Sequence, residues 1–183
     1  MQYVHDRSNI SEEFFNTLIS VQKRHHMDLR AALPQLLPEA IAWAEGEASR
    51  VASAGRALTI EEVTLARKVG VLKPELIRIQ SCSHLPMPRE SALQAAAVQT
   101  GLLGPGMVGL TLGYSVFVCR GHETPRLLSH EFRHVYQYEQ HGSVAGFLPV
   151  YLQQIVTKDY QNAPLEIDAR AYESVARYPP VRE

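Results

Sequence analysis

Ser129-His130-Glu131-Phe132-Arg133-His134-Val135-Tyr136-Gln137 holds the pattern His-Glu-x-x-His, and the reading of this stretch decides how the rest of the chain is arranged. Residues four apart on a helix lie on one face. In a helix, therefore, the imidazoles of His130 and His134 reach one metal ion, with Glu131 one step round beside it. Two ligands and an adjacent general base need that spacing. With 8 histidines among 183 residues, chance produces the pattern about 0.03 times in such a chain, so the surrounding sequence has to support it.

The flanks supply that support. Thr124-Pro125 reads as N-cap and first residue of a helix, Leu127 and Leu128 form a packing shoulder, and His141-Gly142 is a suitable stop. The expected helix covers 124–141. Upstream, the run from Met107 to Cys119 is apolar and carries glycines, which predicts one or two strands. Its end, Tyr114 to Cys119, reads equally as a strand edge for an extended peptide or as a core strand. Leu76-Ile77-Arg78-Ile79-Gln80 alternates and predicts another strand. Residues 89–100 are helical in character, and Gly104-Pro105-Gly106 marks a turn. Downstream, 147–157 predicts an apolar helix with Pro149 in its first turn, 159–162 a loop, and Asn162-Ala163-Pro164 the opening of a last helix that runs through Tyr172 to Val175.

The first third reads as helical. Ser11 caps a period of Phe14, Phe15, Leu18 and Ile19, closed by Arg24, His25 and His26. His25 and His26, being adjacent, point about 100° apart and cannot share a metal. A second helix is expected from Pro34 to Ala54 and a third from the capping box at Thr59 to Val69. Nothing in residues 1–73 suggests chemistry. The whole chain predicts an α+β fold in one domain, 1–183, with a helical N-terminal part (1–73) and a core over 74–178.

Composition excludes several classes. The formal charge is −1, with 20% charged and 45% hydrophobic residues and no block of like charges, which argues against nucleic acid or an anionic membrane as partner. No apolar run is long enough to span a bilayer. The opening Met1-Gln2-Tyr3-Val4-His5-Asp6-Arg7 lacks the pattern of a signal peptide, so a cytoplasmic location is expected, export by a non-classical route aside. Cys82 and Cys119 are then expected to be reduced thiols.

A catalytic metal needs a third protein ligand and an open position for water. Glu166 and Asp168 are the candidates. Gln137, three residues after His134, lies near the metal face and could orient a ligand. Three protein ligands would leave Zn2+ able to hold a water and lower its pKa toward neutrality, with Glu131 taking the proton and passing it to a leaving amine. The donor that would stabilise the oxyanion is open among Tyr160, Tyr172, His122 and Arg170.

His130-Glu131-x-x-His134 followed by Glu166-x-x-Ala169 resembles the gluzincin group of metallopeptidases, in which a glutamate on a later helix completes the site. The wider stretch also resembles an uncharacterised bacterial family of small predicted zinc peptidases. It does so through Gly109-Leu110-Thr111-Leu112-Gly113, Leu127-Leu128-Ser129-His130-Glu131 and Pro164-Leu165-Glu166-Ile167-Asp168-Ala169. The resemblance spans about residues 74–177. It implies a zincin-like fold, with a small, mainly antiparallel sheet packed on the His-Glu-x-x-His helix and a C-terminal helix bearing the third ligand. It implies His130, His134 and Glu166 as zinc ligands, Glu131 as base, and a peptide or protein substrate. Two positions depart from the group's pattern: Arg133 stands inside the motif, and Arg170 stands where an aspartate often orients a histidine. Asp168 could fill that orienting role, or be the ligand with Glu166 behind it.

Two other classes compete with a zinc peptidase. One is a zinc-binding, peptidase-like domain without turnover, acting as a toxin component, regulator or assembly module. The other is a helical protein whose two histidines are coincidental. The intact Glu131 favours the enzyme, because a structural site has no use for that carboxylate and more often fills its fourth position with Cys or His.

Overall fold

The computed structural model describes residues 27–173; the helix expected over 11–26 and the end of the last helix beyond Glu173 lie outside them. The described chain is α+β, with six helices and a four-stranded mixed sheet. The elements in order are α1 (Leu29–Ala54), β1 (Arg56–Ala57), α2 (Ile60–Lys68), a 3-10 turn (Pro74–Leu76), β2 (Arg78–Cys82), α3 (Ser91–Gln99), β3 (Gly109–Leu112), β4 (Ser115–Cys119), α4 (Pro125–His141), α5 (Val144–Asn162) and α6 (Pro164–Tyr172).

The strand order is β1-β2-β4-β3. The β1–β2 and β3–β4 pairs are antiparallel, whereas β2 and β4 run parallel with Ile79 opposite Val116 and Cys82 opposite Cys119. The sheet is therefore mixed, because α3 and its loops lead into β3, which runs back along the sheet so that β4 starts at the same end as β2. β3 and β4 form a hairpin whose two turn residues are Gly113 and Tyr114. Gly113 takes φ 64°, which costs glycine nothing. The segment from Ser115 to Cys119 is a core strand between β2 and β3, and the free edge on that side belongs to β3.

β4 is buried on both faces, which explains its unbroken apolar run. Val116 and Val118 join Ile77, Ile79, Phe132 and Val135 in a core between the sheet, α2 and α4. Phe117, on the opposite face, packs with Ala44, Val51, Tyr138, Phe147 and Leu148 from α1, α4 and α5. α1 is thus built into the same structure as the sheet.

Several boundaries differ from expectation: β2 starts at Arg78, after a 3-10 turn that takes in Leu76, and α5 starts at Val144, where the Ser143 hydroxyl caps it. α1 starts at Leu29, because the Asp28 carboxylate accepts from the Arg30 and Ala31 backbone N–H groups. Pro34 and Pro38 lie within this helix on its exposed face, where water can meet the carbonyls they leave unbonded. β1 is too short for any sequence period to reveal. The turn expected at 159–162 is a break within α5: Asp159 has φ 63° and its carboxylate accepts from the Asn162 backbone.

α4 matches its expected span. The Thr124 hydroxyl accepts from Leu127 N–H, Pro125 sits in the first turn, and Gly142 ends the helix at φ 77°. Its polar far side is also fixed, since Glu139 accepts from the Leu72 and Lys73 backbone N–H groups and from Tyr114. The helix that carries the motif is therefore tied at both ends and packed on α6, β3, α5 and α2.

Candidate metal centre

The helical spacing places His130 and His134 side by side, and Glu166, in the first turn of α6, meets them. All three are buried, Glu166 to 1% exposure. The Nε2 atoms of the two histidines are 3.1 Å apart. His134 Nε2 is 3.2 Å from Glu166 Oε1, and His130 Nε2 is 3.6 Å from Oε2. A small tetrahedral cation with ligand bonds of about 2.0–2.1 Å separates its donors by roughly 3.3 Å. The donor set fits such an ion in type and in spacing.

A second observation agrees. Glu166 Oε2 is buried and accepts no hydrogen bond from the described residues. An orphaned carboxylate oxygen is costly in an apolar interior unless a cation faces it. Arg170 Nη1 approaches to 3.5 Å, within ion-pairing range only. The other oxygen, Oε1, takes the Tyr151 hydroxyl at 2.6 Å.

The outer faces of both imidazoles are occupied. His134 Nδ1 meets Gln137 Oε1 at 2.8 Å, and His130 Nδ1 meets Glu173 Oε1 at 3.2 Å. An N–H donated outward from Nδ1 leaves Nε2 with its lone pair turned inward, the tautomer a metal requires. Glu173 takes the orienting role that Arg170 cannot. Gln137 is itself held, its Nε2 donating to Leu165 O and to Asp168 Oδ2 at 2.8 Å.

Asp168 stays out of the cluster. It pairs with Arg133 through Nε at 2.7 Å and Nη2 at 3.1 Å. The Arg133 guanidinium lies between the Tyr136 and Tyr172 rings, 4.0 and 3.9 Å from their centroids, and donates to Val69 O. The charge inside the motif thus points away from the histidines. It anchors α4 to α6 and, through Asp168 and Gln137, steadies His134.

Glu131 is 4% exposed, and its Oε2 accepts from the Thr111 hydroxyl at 2.7 Å. Thr111 also donates to the Glu131 backbone carbonyl. Gly109, on the same strand, allows this approach: a Cβ there would overlap Glu131 Oε1 and come within 2.8 Å of its Cδ.

Charge and burial act on the cluster in opposite senses. Burial alone would lower His134, yet its hydrogen bond to Glu166 and the charges of Glu166 and Glu131 raise it above its ordinary value. Burial lowers His130. Burial would raise Glu166, but His134 and Tyr151 hold it at about 2. Tyr151 and Tyr160 are both driven up by burial and by the Glu166 charge, so their hydroxyls stay protonated.

The cluster lines one wall of a pocket of about 140 Å³. α1, α3, β3 and α5 make the other walls. Of the four oxyanion donors considered from the sequence, Tyr160 lines this pocket and Arg170 stands beside Glu166. Tyr172 is stacked on Arg133, and His122 is exposed at a separate depression with Arg126 and Glu173. Sequence reasoning missed Tyr151, Thr111 and Glu173 as partners of the cluster, and α1 as a wall of the pocket. Thr111 stood in a segment that carried the family resemblance. A tyrosine inside an apolar helix gives no comparable signal.

No helix among the described residues is long and apolar enough to cross a membrane. Comparison of the chain with protein-family models, with curated proteins and with solved structures gave no match.

Proposed function

We propose that this chain is a zinc-dependent metallopeptidase of gluzincin type, with a zincin-like arrangement of the motif helix, the sheet and α6. His130, His134 and Glu166 would hold the metal and Glu131 would act as general base. The observation that carries this reading is the buried convergence of two inward-facing Nε2 atoms on the Glu166 carboxylate, whose Oε2 has no hydrogen-bond partner among the described residues, beside a second carboxylate and open to a pocket. Nitrogen and oxygen donors of this kind suit zinc, and a set of three protein ligands leaves the open position of a catalytic site.

Zinc bound there would supply Lewis acidity toward a carbonyl oxygen and lower the pKa of a coordinated water. The chain's own residues do the rest. Glu131, aimed by Thr111 and given room by Gly109, removes a proton from the attacking water and delivers it to the leaving amine. Gln137 and Glu173 hold the imidazoles in the ligand tautomer. We assign the oxyanion donor to Tyr160, which lines the pocket half-buried and keeps its proton. The apolar walls exclude bulk water, which strengthens each of these interactions. Glu131→Gln should keep the fold and the zinc while losing about 100- to 10,000-fold in peptide hydrolysis. Full activity in that variant would refute the assignment, and zinc bound without cleavage across a broad peptide library would favour the non-catalytic alternative.

A further inference from the structure

The pocket is larger and more one-sided than proton transfer to a peptide bond requires. Its polar groups come chiefly from α4 and α6, together with Thr111 of β3, the Tyr151 and Tyr160 hydroxyls of α5 and the Trp43 indole of α1. The rest of the lining is mostly aliphatic, with Leu33 and Ala40 of α1, Leu93 and Ala96 of α3, and Leu152 and Val156 of α5. The Thr100 hydroxyl, at the end of α3, is already bonded to the Ala96 and Ala97 carbonyls. A single water needs about 10–15 Å³ and two to four polar partners. The space is ample, and these aliphatic positions offer no such partners.

The α1 wall runs from Leu29 to Ala44, about 22 Å at 1.5 Å per helical residue. No single amino-acid side chain reaches that far. An extended peptide of about six or seven residues would, but away from the β3 edge its N–H and C=O groups would face α1, α3 and α5, helices whose own backbone groups are bonded internally. Burying unpaired amides is strongly unfavourable. A hydrocarbon chain has the length and carries no such groups.

We propose that the substrate is a long-chain N-acyl amide, such as an N-acylated peptide, with its hydrocarbon chain along α1 and its carbonyl at the α4–α6 wall. The proposal rests on the reading of His130, His134 and Glu166 as zinc ligands. Water adds across the amide: the C–N bond breaks, the hydroxyl joins the acyl carbon to give a carboxylic acid, and the proton goes to the released amine. α1 then selects the substrate, a role its sequence did not announce.

The test uses the full chain, zinc-loaded and zinc-stripped, titrated with butanoate, octanoate, dodecanoate and hexadecanoate, together with hydrolysis of hexadecanoyl-glycine and acetyl-glycine. Affinity should rise about three- to fourfold per added methylene in both forms, and hexadecanoyl-glycine should be cleaved by the loaded form alone and preferred over acetyl-glycine. Ala40→Phe should end the gain at a shorter chain. Leu33→Gln, at a half-buried position, should weaken the longest acids selectively and serves if the first variant fails to fold. Flat affinity from butanoate to hexadecanoate in a zinc-binding protein would overturn the proposal while leaving the metal centre intact, as it would if another segment of this chain fills the pocket. Chain-length-dependent binding in a protein that takes up no zinc would overturn its hydrolytic half.

Discussion

Arg133 makes the sharpest claim about stability, because a charge inside the motif has to be accounted for. Its side chain is 11% exposed and is held by two ring faces, a two-point ion pair with Asp168 and the Val69 carbonyl. Arg133→Ala removes all of these. Two desolvated ring contacts are worth about 1–3 kcal/mol together. The ion pair adds about 1 kcal/mol, discounted because Asp168 is 36% exposed. The contributions overlap, so a loss of about 2–4 kcal/mol is expected, near 5–12 °C in Tm for a chain of this size. Arg133→Lys keeps the charge but loses the planar fork and the stacking, and should forfeit about half as much. Urea unfolding at unchanged m-value is the assay. A double-mutant cycle with Asp168→Ala should show coupling of about 0.5–1 kcal/mol. A loss below about 0.5 kcal/mol for Arg133→Ala would show that the guanidinium does not hold α4 to α6 as described.

Two further perturbations probe the support of the site and the fold. Gln137→Met removes the acceptor on His134 Nδ1, so zinc affinity measured by chelator competition should fall about 10- to 100-fold with little change in secondary structure; unchanged affinity would contradict the orienting role. Glu62 caps α2 and pairs with Arg56, whose hydrogen bond, against the cost of burial, lowers the Glu62 carboxyl below 4.5. A lowered folded-state pKa contributes stability above the unfolded value and loses it as pH falls through the folded one. Glu62→Gln should therefore cost about 1 kcal/mol at neutral pH, with the gap to the parent protein closing below about pH 4.5; a gap that stays constant into acid would contradict the pairing.

The parts of this fold that were legible in the sequence were those governed by local rules. The span of α4 followed from Thr124, Pro125 and Gly142, each of which acts within one turn of itself. The capping box at Thr59 formed as its four residues dictate. The meeting of His130 with His134 is a property of helical spacing. What escaped was long-range. That Glu166 rather than Asp168 joins the histidines depends on which face of α6 packs on α4, a register no local pattern encodes. The parallel pairing of β2 with β4 depends on the crossover between them. Tyr151 reaches Glu166 only because α5 packs beside α6. Arg133 looked like a flaw in the motif because its partners, Val69, Asp168 and Tyr172, lie 64, 35 and 39 positions away in the chain.

The central claim is that His130, His134 and Glu166 form a zinc site. Metal analysis of the purified protein, equilibrated with zinc and freed of excess, tests it directly when run beside His134→Ala. The account predicts one zinc per chain for the parent protein and none for the variant. A parent protein that retains no zinc, or a variant that binds it as tightly, would contradict it.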